Sequence, residues 1–188
     1  MKTSVKAACF TFLALSLLQI PAASSAFAAD TLHPGETLSN NGMITSSDGR
    51  FALDMQSDGN LVLYNAGTSL WSSHTNGAWY NPNPFYSPFS TDPSMYVYAQ
   101  FTVWSSGGVL RLDNSGHLLL TDAKNTHAFW MADTDSWMNN WYRPPMIKPT
   151  GLVGDTLIVQ NDGNCVLYDT VHGGGTWMPV WATNTGGR

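Results

Sequence analysis

Gln56-Ser57-Asp58-Gly59-Asn60-Leu61-Val62-Leu63-Tyr64 returns near the C-terminus as Gln160-Asn161-Asp162-Gly163-Asn164-Cys165-Val166-Leu167-Tyr168. Both stretches read Q-x-D-G-N-x-V-L-Y. Between them lies an eroded copy, Asp113-Asn114-Ser115-Gly116-His117-Leu118-Leu119-Leu120-Thr121, which keeps the glycine and loses the specifying polar letters. A pattern that recurs in one chain sets its architecture, so it is read before any single residue.

Each copy encodes a hairpin. Leu53-Asp54-Met55-Gln56 leads in, Ser57-Asp58-Gly59 turns, and Asn60 to Tyr64 leads out. A three-residue hairpin loop places its last residue in the left-handed region, where glycine carries no Cβ penalty. Strand alternation then puts Gln56, Asn60, Val62 and Tyr64 on one face, with Asp58 projecting from the loop tip beside them. The other face is apolar in all three copies. It holds Leu53, Met55, Leu61 and Leu63 in the first, Leu110, Leu112, Leu118 and Leu120 in the middle, and Leu157, Val159, Cys165 and Leu167 in the last. That face is the expected core, and the polar letters gather on the outside.

A second repeat, W-x-x-x-T, follows each hairpin at Trp71 to Thr75, Trp130 to Thr134 and Trp181 to Thr185. Three equivalent tryptophans predict one shared aromatic centre. Short β-rich runs alternate with Gly, Asn, Asp and Ser throughout. The expected class is all-β, with three antiparallel sheets around a pseudo-threefold axis.

The N-terminus reads as a bacterial-type export signal. Lys2 and Lys6 precede an apolar run from Ala7 to Ile20, and Ala26-Phe27-Ala28 is an A-x-A cleavage site. The run falls short of the ~20 apolar residues that a membrane span needs. Cleavage after Ala28 would leave residues 29–188 as one domain, secreted or periplasmic, within the usual ~100–200 residues. The mature part carries six basic against 13 acidic residues, a net of −7. That balance disfavours nucleic acid and anionic membranes, which both reward clustered Lys and Arg. Cys9 departs with the leader, so Cys165 has no partner within the chain and reads as a small buried hydrophobe, with an intermolecular bridge as the alternative.

Three Q-x-D-x-N-x-V-x-Y registers in an all-β chain, each followed by a tryptophan, resemble the bulb-type mannose-binding lectins of monocots. The opening Gly35-Glu36-Thr37-Leu38 and the closing Trp181 to Gly187 are similar to that family as well. The resemblance covers most of residues 30–188 and implies a β-prism II fold and a secreted bacterial member of the family. It implies that Gln, Asp, Asn and Tyr hydrogen-bond mannose while Val meets the ring carbons, with no metal or other cofactor. Carried over, one site is Gln56, Asp58, Asn60, Val62 and Tyr64, and a second is Gln160, Asp162, Asn164, Val166 and Tyr168. In the middle copy Asp113, Ser115, His117, Leu119 and Thr121 replace all five letters, so that site is expected to be dead for mannose. The implied partners are mannose-containing glycans or polysaccharide, and a homodimer formed by exchange of the C-terminal strand from Val180 to Thr185.

Two insertions interrupt the pattern, at about Ala78 to Gly108 and at Asp135 to Gly154. Both are rich in aromatics and proline, and the proline spacing predicts irregular loops rather than helix. They either cap the sheets or, through chemistry such as Asn139-Asn140-Trp141, extend a glycan site or form a partner surface. An enzyme is the weaker reading. Glu36 is the only glutamate, Asp58 and Asp162 belong to different sheets, and an Asp133/Asp135 pair on a strand face reads as solvated charge. His33, His74, His117, His127 and His172 are scattered, without the spacing of a zinc site. A bacteriocin-like or protein-binding module on a lectin scaffold is the alternative function.

Overall fold

In the computed structural model, which describes residues 30–80, 105–106 and 108–187, every copy of the repeat is a hairpin as the turn residues require. The chain opens with β1 Thr31–Leu32, β2 Thr37–Ser39 and β3 Gly42–Thr45. The first copy builds β4 Phe51–Met55, β5 Leu61–Asn65 and β6 Thr68–Ser72. A two-stranded ribbon follows, β7 Trp79–Tyr80 with β8 Ser105–Ser106. The middle copy builds β9 Val109–Leu112, β10 Leu118–Thr121 and β11 Ala128–Met131. After a helix, α1 Thr134–Trp141, the last copy builds β12 Thr156–Val159, β13 Cys165–Asp169 and β14 Met178–Ala182. Residues 1–29, which hold the expected export signal, and most of the first insertion lie outside the described residues.

Three four-stranded antiparallel sheets result, ordered β3-β4-β5-β6, β2-β9-β10-β11 and β1-β12-β13-β14. Each repeat supplies three strands, and the opening segment supplies one edge strand to each sheet. Residues 31–45 thus tie all three sheets together through backbone pairing alone.

The turns behave as glycine predicts. Gly59, Gly116 and Gly163 have φ of +89°, +82° and +89°. In the first copy the Gln56 amide donates to Asn60 O at 2.9 Å and the Gly59 amide to Gln56 O at 3.1 Å, and both other copies repeat the pair. A Cβ on Gly163 would also lie 2.6 Å from Phe51 in another sheet, so this turn is an intersheet contact as well.

All twelve residues of the expected core face are at most 1% exposed. Full burial of each aliphatic side chain contributes about 1.5–3 kcal/mol. Cys165 is among them, and burial pushes its thiol up to about 12, so it stays a neutral hydrophobe. A bulge recurs at one place in each sheet, at Leu63/Tyr64, Leu120/Thr121 and Leu167/Tyr168. The extra residue opposite it turns the next tryptophan inward, opposite the preceding leucine. Trp71, Trp130 and Trp181 meet there edge to face, with ring centroids 5.6–5.7 Å apart.

The second insertion departs from its expectation. Its prolines, Pro144, Pro145 and Pro149, all follow the helix, so residues 134–141 are free to coil. Asp133 caps the helix, its Oδ1 accepting from the Ser136 amide at 2.9 Å, and that bond holds the Asp133 carboxyl below the ordinary carboxylate value. Asp135 lies in the first helical turn. The two aspartates therefore serve a helix N-terminus and not a strand face. Met138 and Tyr142 are buried, and Tyr142 Oη donates to Pro179 O at 2.9 Å, seating the helix on β14.

Replacing Trp130 by Ala should lower the free energy of unfolding by about 3–5 kcal/mol, whereas Ser115→Ala at an exposed hairpin tip should stay within about 0.5 kcal/mol. Guanidinium denaturation of the two variants checks this.

Candidate functional site

The polar letters of the first and last copies occupy matched positions. Gln56 Nε2 donates to Tyr64 Oη at 2.8 Å, and Gln160 Nε2 to Tyr168 Oη at 3.0 Å. Asp58 Oδ1 accepts from the Asn60 amide at 2.9 Å, and Asp162 Oδ1 from the Asn164 amide at 2.9 Å. Each set leaves a carboxylate oxygen, a phenol hydrogen and a glutamine oxygen facing outward. Val62 and Val166 share that face but are only 3% exposed. They form the floor between the polar groups rather than a protruding apolar surface.

The asparagines are held by the second repeat. Asn60 Oδ1 accepts from Ser72 Oγ, Ser73 Oγ and the Thr75 amide at 2.9, 3.1 and 3.2 Å. Asn164 Oδ1 accepts from Thr183 Oγ1 and the Thr185 amide at 3.0 and 3.2 Å. With its oxygen spent, each amide is locked with Nδ2 as an outward donor. Thr75 Oγ1 and Thr185 Oγ1 in turn donate to Gly59 O and Gly163 O, at 2.7 and 2.6 Å. The threonine of W-x-x-x-T and the hydroxyl residue two places after the tryptophan are therefore positioning residues. Sequence reasoning assigned a role only to the tryptophan, although the recurring hydroxyls were the signal for the rest.

The middle copy has neither part. Ala132 stands where Ser73 and Thr183 stand, and the Thr134 amide donates to Ala132 O as the helix begins. His117 occupies the asparagine slot, with Nδ1 3.0 Å from Asp113 Oδ2. Burial works to raise the Asp113 carboxyl, but hydrogen bonds from the His117 amide and ring and the Ser115 amide hold it below the ordinary value. Arg111 Nε donates to Thr121 Oγ1 at 3.0 Å. These side chains satisfy one another.

The two matched sets differ at their margins. Asp54 pairs with Val62 in the first, where burial, reinforced by the Asp58 charge, pushes its carboxyl up. Ile158 takes that place in the last copy. There Trp177 leans on Tyr168, with centroids 5.6 Å apart, and is 52% exposed. A Cβ on Gly186 would come within 2.9 Å of Asp162 Oδ2, so a side chain there would crowd the carboxylate.

Asp169, fully buried, ends β13 and organises the loop that carries Trp177. It accepts from the Val153, Val171 and His172 amides at 2.7, 2.9 and 2.7 Å, with His172 Nδ1 at 2.9 Å. Burial pushes this carboxyl up, but those bonds outweigh it and hold the group below the ordinary range.

Among the described residues no group of three or more His, Cys, Asp or Glu could hold a metal ion, and no helix is long and apolar enough to cross a membrane. No family model matches the chain. A mannose-specific lectin of Aloe arborescens is 27% identical over 156 residues, covering 82% of this chain and 96% of that protein. Among solved structures, monomeric monocot mannose-binding lectins from Gastrodia elata superpose with a TM-score of 0.53 at 24% identity, covering 84% of this chain and 99% of theirs. A lectin from Marasmius oreades matches with a TM-score of 0.50 at 18% identity, over 84% and 92% of the two chains.

The fold is the β-prism II. Its three sheets present three equivalent outer faces, and in this β-prism only two of them carry the locked asparagine. These relatives are lectins, and in both polar sets of this chain the carboxylate is tied to its own turn.

Thr185→Val removes the donor to Gly163 O and should cost about 1–3 kcal/mol by leaving a buried carbonyl unpaired. The side-chain amide NMR signals of Asn164 should shift as its lock loosens; unchanged signals with unchanged stability would sink the positioning role. Asp169 makes a pH prediction. Its folded pKa lies below the unfolded value of about 3.9, so its contribution is present above that pH and lost as pH falls through the folded value. The stability lead of the unsubstituted protein over Asp169→Asn should therefore shrink on acidification below about pH 4. A gap that stays constant would exclude this assignment.

Proposed function

We propose that this protein is a member of the bulb-type lectin family that binds mannose-rich glycans through two sites and without metal. Gln56, Asp58, Asn60, Val62 and Tyr64 form one site, and Gln160, Asp162, Asn164, Val166 and Tyr168 the other. The observation that carries the reading is the locked asparagine, present in two copies and absent from the eroded one. A hairpin needs none of these bonds to fold, as the middle copy demonstrates. Their conservation of geometry between the other two therefore supports ligand contact.

The chemistry fits a pyranose. Vicinal hydroxyls each donate and accept. Asp Oδ2 and Gln Oε1 accept, while Asn Nδ2 and Tyr Oη donate, so neighbouring hydroxyls are matched over a valine floor. A single shallow site of this kind binds in the millimolar range, about 4 kcal/mol. Two sites on one molecule raise avidity for branched mannans by effective concentration, not by new contacts. The aloe lectin, described as mannose-specific, supports the same ligand class.

Residues 1–28 are proposed as the export signal, which places residues 29–188 outside the cytoplasm. In the fold β14 pairs with β13 of its own chain. A homodimer exchanging residues 180–185 would form the same pairing between copies, and sedimentation gives its mass.

Titration of residues 29–188 with methyl α-mannoside, followed by NMR, should shift the turn signals of both sites. Methyl α-glucoside should not. Asn60→Ala together with Asn164→Ala should abolish the response while the dispersed spectrum persists. Retained binding in that double variant would overturn the site assignment.

A further inference from the structure

Helix α1 presents two faces. One, Met138 with Tyr142 just past the helix end, is buried against β14. The other is Trp137 and Trp141, one helical turn apart, stacked with centroids 5.2 Å apart and planes 15° from parallel. Beside this stack lies a cleft of about 280 Å³, lined by Trp137, Asn140, Trp141, Arg143 and Asn184. Trp141 is 49% exposed. No carboxylate lines the cleft, although the chain as a whole is acidic.

Asn184 joins this cleft to the second site. Its Oδ1 accepts from Trp137 Nε1 at 3.2 Å, which fixes the amide and leaves Nδ2 to donate. Asn184 sits between Thr183 and Thr185, the two residues that hold Asn164 Oδ1. Successive Cα atoms are ~3.8 Å apart, so the cleft begins one residue from the anchor of that site. His74 holds the same slot beside the first site.

The lining combines indole surface with two amides and a guanidinium. The carbon face of a pyranose packs on such a surface while its hydroxyls meet the amide and guanidinium donors. The volume sits at the lower limit of small-molecule sites, ~300 Å³, which suits one sugar ring and not a peptide segment.

We propose that this cleft is a subsite for a further neutral pyranose of the glycan whose mannose occupies Gln160, Asp162, Asn164, Val166 and Tyr168. The inference rests on the lectin reading and deepens it: the second site takes an oligosaccharide.

Calorimetry in an Asn60→Ala background, where only the second site remains, tests it with methyl α-mannoside and an α-linked mannotriose. The trisaccharide should bind tighter than the monosaccharide. Adding Trp141→Ala should weaken the trisaccharide about tenfold, as truncation of a central aromatic contact does, and leave the monosaccharide unchanged. Trp141→Phe, which keeps an aromatic face, should restore most of the loss. Equal affinities of the two ligands, or equal weakening of both by Trp141→Ala, would overturn the subsite while leaving mannose binding intact. Failure of either ligand to bind would overturn the lectin reading and the subsite with it.

Discussion

Three indole rings meeting edge to face at the centre of the prism are the constraint on which the rest of the structure depends. Trp71, Trp130 and Trp181 come from three different sheets and touch one another at nearly equal distances. Each reaches the axis because a bulge in its own sheet turns it inward at the same register. The leucines opposite, Leu63, Leu120 and Leu167, complete the buried layer. Cys165 is a free, buried thiol, and packing against this centre and the opening strands that lace the sheets hold the prism closed.

The same strands that deliver the tryptophans also build the candidate sites on the outer faces. Immediately after Trp71 and Trp181 the chain crosses back over the hairpin tip, and its hydroxyls and amides seize the oxygen of Asn60 or Asn164. Core and site are therefore consecutive in sequence and mechanically linked. The middle copy separates the two roles. It keeps Trp130 in the core, yet Ala132 and the start of the helix remove the hydroxyl network, and His117 with Asp113 closes the face. The prism tolerates loss of the polar set but retains the tryptophan.

Much of this was legible in the sequence. Glycine at the third turn position predicted the hairpins, and alternation predicted all twelve core-face residues, because strand geometry is local. What alternation could not supply was the degree of enclosure. Val62 and Val166 lie on the outer face, as expected, but the neighbouring strand leaves only 3% of each exposed. The helix in the second insertion was hidden by nearby prolines. Its signals were the cap at Asp133 and the apolar spacing of Trp137, Met138, Trp141 and Tyr142, which outweigh prolines that lie wholly beyond the helix.

The sequence by itself determined the hairpins, the inward face, the three tryptophans and the matched polar letters, since each depends on residues close along the chain. Only the tertiary structure decided which asparagine atom faces outward. It also decided that the opening segment divides among three sheets, and that Trp137 and Trp141 lie beside Asn184. Those outcomes depend on contacts between segments far apart in sequence, such as Trp137 with Asn184. Local periodicity carries no information about such encounters. They arise when burial around one axis brings remote turns together and leaves each buried polar group to find its partner.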